Sequence, residues 1–123
     1  MIRKEITVVV EDDEPSFILL KIVLEKLGLE CIWVKNGDDA ITVCKERDDI
    51  KMVLMDINLP TMSGYTATKK IKQLKPALPI IAQTAFAIAG DREKAFDAGC
   101  DDYISKPIHQ KTLVKIIRKF FTE

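Results

Sequence analysis

The sequence carries no net charge, because 19 basic and 19 acidic residues cancel. That balance leaves no electrostatic footprint for a nucleic acid or a membrane surface. No apolar run approaches the roughly 20 residues that a membrane span needs. Met1-Ile2-Arg3-Lys4-Glu5 leads straight into a strand-like run and does not resemble a signal peptide. Cysteine is scarce and odd in number. Cys31, Cys44 and Cys100 form no CxxC pair and sit beside apolar neighbours, the pattern of reduced, buried thiols in a cytosolic protein. A phosphate-cradling GxxxxGK[ST] is missing, which argues against an NTPase. Internal repeats, low-complexity segments and linkers are missing too. The single histidine, His109, falls just after Lys106-Pro107 at a helix start, a place for surface or capping duty rather than catalysis.

What remains is a chain of 123 residues, 47% of them hydrophobic, enough for one packed domain and short for two. Ile6-Thr7-Val8-Val9-Val10 is β-branched and reads as a buried strand. Glu11-Asp12-Asp13-Glu14 follows, and Pro15 opens a helix that carries Phe17, Leu20, Leu24 and Leu27 at helical spacing and stops at Gly28. Cys31 to Val34 is a second strand, with Trp33 as core or partly exposed packing; Asn36-Gly37-Asp38 is a loop before a second helix. Met52-Val53-Leu54-Met55-Asp56 is the third strand, an apolar run that ends in a carboxylate. A third helix places Ala67, Ile71 and Leu74 inward and lysines outward. Pro79 to Gln83 forms a fourth strand that ends at Thr84-Ala85, and a helix over about Gly90 to Ala98 follows. Asp102 to Ser105 is a short fifth strand, and a last helix from about His109 shows Leu113, Ile116, Ile117 and Phe120 on one face.

Strands alternating with helices predict an α/β fold: a doubly wound parallel five-stranded sheet in flavodoxin-like order 2-1-3-4-5, with five helices on both faces. Parallel strands deliver their C-terminal ends to one edge, where open α/β sheets bind ligands. Glu11, Asp12, Asp56, Thr84 and Lys106 therefore converge. Each alone has a plainer reading: the acidic run as a helix-capping turn, Asp56 as a turn residue, Thr84 as a cap, Lys106 as a surface lysine. Their joint placement on four strand ends is what points to a site. Crowded carboxylates repel. A hard divalent cation removes that penalty, and an oxygen-only donor set suits Mg²⁺ or Mn²⁺ rather than zinc. An Asp beside such a cation and a lysine can attack phosphorus to give an acyl phosphate.

The chain resembles the response-regulator receiver domain (CheY-like), the phosphoacceptor module of two-component signalling, over essentially its whole length. The resemblance rests on Val8 to Glu14, Met55 to Gly64, Gln83-Thr84-Ala85 and Ala98 to Pro107. It implies phosphorylation of Asp56 by a histidine kinase or a histidine phosphotransfer domain. It implies a metal shell of Glu11, Asp12, Asp56 and the Asn58 carbonyl, with Asp13 outside it. The family often has Asp where Glu11 stands. Thr84 matches the switch hydroxyl, Tyr103 the switch aromatic and Lys106 the phosphoryl-binding lysine, with a cis bond before Pro107. Ala85 allows close backbone approach to the phosphoryl group, while Asn58 and Phe86 tune autodephosphorylation, Phe86 by shielding the acyl phosphate. The readout surface is the fourth helix, fifth strand and fifth helix, and the domain itself contacts neither nucleic acid nor membrane. Thr84 to Ile108 resembles receivers of hybrid sensor kinases more than those fused to DNA-binding domains. The expected setting is cytoplasmic, either alone or as the cytoplasmic portion of a sensor kinase. The chain ends just after its fifth helix, which leaves a whole single-domain regulator (1–123) and a piece of a larger protein both open. Two other readings compete. One is a pseudo-receiver that binds protein without phosphorylation, against which the retained Asp56, Thr84 and Lys106 argue. The other is a phosphatase of the haloacid-dehalogenase type, against which Asn58 argues by standing where the second acid of DxDx[TV] belongs.

Overall fold

The computed structural model describes residues 5–85 and 90–121. Its elements in chain order are β1 (Ile6–Val10), α1 (Glu14–Lys26), β2 (Glu30–Val34), α2 (Gly37–Glu46), β3 (Ile50–Asp56), α3 (Gly64–Leu74), β4 (Ile80–Thr84), α4 (Asp91–Ala98), β5 (Asp102–Ser105) and α5 (Gln110–Phe120). The strands form one five-stranded sheet in the order β2-β1-β3-β4-β5, all parallel, as the alternation of strands and helices predicts.

The sheet divides the core in two. On one face Val9, Leu54, Ile81 and Ile104 pack with Phe17, Leu20 and Leu24 of α1 and Leu113, Ile116 and Ile117 of α5. On the other, Val8, Val10, Val53, Met55, Ile80 and Ala82 pack with residues of α2, α3 and α4, including Ala40, Ile71 and Ala95. Alternate residues of each strand serve opposite faces, the period-2 rule of a pleated strand. Both faces are covered, so the central strands are apolar throughout, as in Met52-Val53-Leu54-Met55. Each such side chain contributes about 1.5–3 kcal/mol by leaving water.

Helix ends follow local chemistry. The Asp13 side chain accepts the Ser16 backbone N–H at 3.0 Å and its hydroxyl at 2.6 Å, and Pro15 fills the first turn. Gly28, with φ at +79°, turns the chain after α1 in a conformation that side chains disfavour.

Three expectations shift. The third strand starts at Ile50 rather than Met52. Ile6 pairs with Ile50 and Thr7 with Met52, so Lys51 is an extra, exposed residue whose charge hides the strand start. The second helix starts inside the expected loop at Gly37, because the Asn36 side chain accepts the Asp39 N–H at 2.8 Å and caps it. Leu74, expected inward, is 45% exposed. The chain turns at Lys75, where the Leu78 N–H bonds the Lys75 carbonyl, and Leu78 enters the core instead. Cys44 and Cys100 are buried and Cys31 half-buried, with burial pushing each thiol up to about 11. Neutral thiols of this kind are poor nucleophiles.

Candidate functional site

Four segments meet beyond the C-terminal edge of the sheet. β1 runs into Glu11 and Asp12, β3 ends on Asp56, β4 ends on Thr84, and β5 leads to Lys106. The sequence makes this happen by ending each apolar run in a polar residue: burial holds the strand, and the polar side chain marks where the chain leaves the core.

Glu11, Asp12 and Asp56 each bring a carboxylate oxygen within 4.8 Å of the others. Lys106 Nζ lies 2.8 Å from Glu11 Oε1 and 3.4 Å from Asp56 Oδ2. One ammonium therefore pairs with two of the three acids, and Asp12 has no ion pair with it. Glu11 is fully buried and Asp56 is 3% exposed, whereas Asp12 faces solvent. Burial pushes the Glu11 carboxyl up, against the pull of Lys106, and neighbouring Asp56 pushes it the same way. For Lys106 burial acts downward, but Glu11 and Asp56 outweigh it and hold the ammonium above its usual range.

Asp56 is held from its own loop. Its Oδ1 accepts the Asn58 backbone N–H at 3.0 Å. The Ile57 N–H bonds the Gln83 carbonyl at 2.9 Å, and the Gly64 N–H bonds the Ile57 carbonyl at 3.0 Å. A Cβ on Gly64 would run into the Asp56 carbonyl oxygen and lie 2.8 Å from the Ile57 Cα. Glycine is what lets α3 begin this close to the acid. Thr61, in the same loop, sits at φ +64°, unusual for a β-branched residue.

Thr84 is buried one strand away from Asp56, and its carbonyl accepts the Lys106 N–H at 2.7 Å. Tyr103 is half-buried on β5. Burial raises its phenol, Asp91 adds to this, and a hydrogen bond with Thr84 opposes it. The switch hydroxyl and switch aromatic expected from sequence are therefore in contact. Tyr65, on α3, donates to the Asp91 carbonyl at 3.4 Å and ties α3 to the start of α4. Ala85 is exposed at the end of β4, Asn58 is exposed beside Asp56, and the Lys106–Pro107 peptide is cis. Asp13 caps α1. Phe86 lies outside the described residues.

The donor set fits a hard divalent cation. It is all oxygen, carries more negative charge than its one lysine balances, and keeps Asp12 open to water, as Mg²⁺ with its retained waters requires. Sequence reasoning missed one participant. Trp33, read as packing, donates its indole N–H to the Glu11 carbonyl at 2.7 Å. Nothing local signals a contact between residues 22 positions apart.

The family profile of the response regulator receiver domain matches residues 7–118. The polar-differentiation response regulator DivK of Brucella anthropi is 40% identical over 116 residues, covering 91% of this chain and 92% of that protein. The receiver domain of the Pseudomonas aeruginosa sensor histidine kinase PA1611, whose crystal structure has a magnesium ion coordinated in the active-site cleft, superposes with a TM-score of 0.89 at 31% identity. The match covers 98% of this chain and all of that one, 100%. The receiver domain of Saccharomyces cerevisiae Ssk1, solved with the histidine phosphotransfer protein Ypd1, matches with a TM-score of 0.88 at 29% identity, over 98% of this chain and 90% of that one. By profile, by sequence and by fold, the chain belongs to the response regulator receiver domain family and is a signalling module of two-component systems.

Proposed function

We propose that residues 1–123 act as a single receiver domain that accepts a phosphoryl group on Asp56 from a phosphohistidine. The observation that carries this is the position of the Asp56 carboxylate: 3% exposed at a strand end, held by the Asn58 N–H and beside the Lys106 ammonium. An Asp56 oxygen attacks phosphorus in line. The P–O bond forms as the P–N bond breaks, and its electron pair stays with the imidazole of the donor. Lys106, the Thr84 hydroxyl and the Ala85 N–H receive the phosphoryl oxygens. Glu11, Asp12, Asp56 and the Asn58 carbonyl would hold Mg²⁺ (or Mn²⁺), which supplies charge neutralisation at the transferring oxygens.

The acyl phosphate adds a charge of about −1.5 to −2. Thr84 is drawn toward it, its contact with Tyr103 is lost, and Tyr103 rotates into the space behind. The active population rises, and the α4–β5–α5 surface changes for a downstream protein. The same groups make the domain assist its own phosphorylation and dephosphorylation, with Asn58 and Phe86 setting the rate of loss. Docking of a histidine kinase or phosphotransfer domain is supported by the Ssk1–Ypd1 complex and by α1, where Leu19 is 68% exposed. A cytoplasmic setting is part of this reading. Among the described residues no helix is long and apolar enough to cross a membrane.

The test is label transfer from a phosphohistidine-bearing phosphotransfer domain, with phosphoimidazole as a small P–N donor. Label should reach wild type as a hydroxylamine-sensitive acyl phosphate and fail to reach Asp56→Asn. Labelling of Asp56→Asn at the wild-type level, or no labelling of wild type by either donor, would overturn the reading.

A further inference from the structure

Asp12 poses a positioning problem. It is exposed, it belongs to no helix or strand, and yet it is one of the three acids that meet. Packing does not aim it. What aims it is the peptide that joins it to Glu11, and β2 grips Glu11 on both sides. The Glu11 N–H bonds the Val34 carbonyl at 3.0 Å, and the Glu11 carbonyl accepts the Trp33 indole N–H at 2.7 Å. The indole is itself clamped. Its ring stacks on Phe17 of α1, with centroids 4.3 Å apart and planes within 4°, and the Lys35 ammonium sits 4.8 Å from its centroid. Trp33 thus ties together the strand before the acidic loop, the helix after it and the edge strand beside it.

We propose that Trp33 is a positioning residue for the divalent cation: its N–H on the Glu11 carbonyl fixes the Glu11–Asp12 peptide so that Asp12 is pointed at Asp56 before the cation arrives. This rests on the cation reading of the acidic cluster. Fixing ligands in advance raises affinity by removing an ordering cost, and partners behind metal ligands commonly act this way. The indole itself remains outside the ligand set. Because Trp33 is the sole tryptophan, its emission reports the loop directly, and cation binding should change it.

The experiment replaces Trp33 with benzothienylalanine, which keeps the bicyclic shape and puts sulfur where the N–H was. Trp33→Phe serves as a second variant. Mg²⁺ affinity is read by calorimetry, melting is read without cation, and phosphorylation is read across a Mg²⁺ titration. Loss of the N–H should weaken Mg²⁺ binding about fivefold, equivalent to about 1 kcal/mol. The cation-free melting temperature should fall by only a few degrees, the cost of one hydrogen bond, and phosphorylation should recover at saturating Mg²⁺. Unchanged Mg²⁺ affinity in the benzothienyl variant overturns the proposal. So does a phosphorylation defect that saturating Mg²⁺ fails to repair, since Trp33 would then support the fold of the site rather than position its cation ligand. If wild type itself binds no Mg²⁺, the cation reading falls and this inference falls with it.

Discussion

The two edges of the sheet carry the same kinds of charged side chain and use them in opposite ways. At the N-terminal edge acids and bases are matched one to one, the Lys75 pair in solvent and the Lys72 pair with its lysine 17% exposed. Lys75 pairs with Asp48 at 2.7 Å, where Asp48 is 96% exposed, and Lys72 pairs with Asp101 at 2.7 Å. At the C-terminal edge three acids cluster around a single lysine charge that pairs with only two of them, Glu11 and Asp56, and Glu11 is 1% exposed. Exposed pairs contribute little because water already solvates them. A crowded acid cluster with too few bases raises the cost of keeping its carboxylates charged, as the upward push on Glu11 shows, and a bound cation relieves that cost. The lesson is that pairing alone does not mark a site; burial with a surplus of one charge does.

The comparison breaks hardest at Lys106. Lys106→Ala leaves Glu11 and Asp56 buried without their ammonium and should cost about 3 kcal/mol in chemical denaturation in EDTA, with part of the loss restored by Mg²⁺. Equal losses with and without the cation would mean that the ammonium and the cation do not compete for the same acids. Alkaline pH should reproduce that loss in part. The folded pKa of Lys106 is raised above its ordinary 10.5, so its stabilising contribution is full below 10.5 and fades as pH rises through the folded value. The stability gap between wild type and Lys106→Ala should therefore shrink above pH 10.5, and a gap that widens would contradict the assignment. At the other edge Asp101→Ala should cost about 1 kcal/mol, because Asp101 accepts the Ile80 N–H at 2.9 Å as well as Lys72. The smallest effect belongs to Lys75→Ala, about 0.5 kcal/mol or less by thermal melting. A loss matching that of Lys106→Ala would erase the contrast between the edges.

Most of this arrangement was legible in the sequence, because strand ends are marked by abrupt chemistry. Apolar runs ending in Glu11, Asp56 and Thr84 gave both the strand positions and the shared edge, since parallel strands can only deliver their ends together. Local signals also placed Pro15 and Gly28 correctly. What was hidden depends on contacts distant in sequence. Trp33 looks like any core aromatic until the fold sets it against Glu11. Lys51 obscured the start of β3 because a bulge exposes it, and Leu74 kept a helical rhythm past the point where Leu78 takes over the core. Gly64 ends the Met55 to Gly64 stretch that carries the resemblance, but its close approach to Asp56 shows only with the two backbones in place.

The measurement that bears most directly on the account is intact mass after incubation with acetyl phosphate, in Mg²⁺ and in EDTA, for wild type and Asp56→Asn. The account predicts one added phosphoryl group in wild type with Mg²⁺ and none in the other three samples. An adduct that persists in Asp56→Asn, or that forms equally well in EDTA, would contradict the claim that Asp56 and its cation-binding neighbours are the phosphoacceptor site.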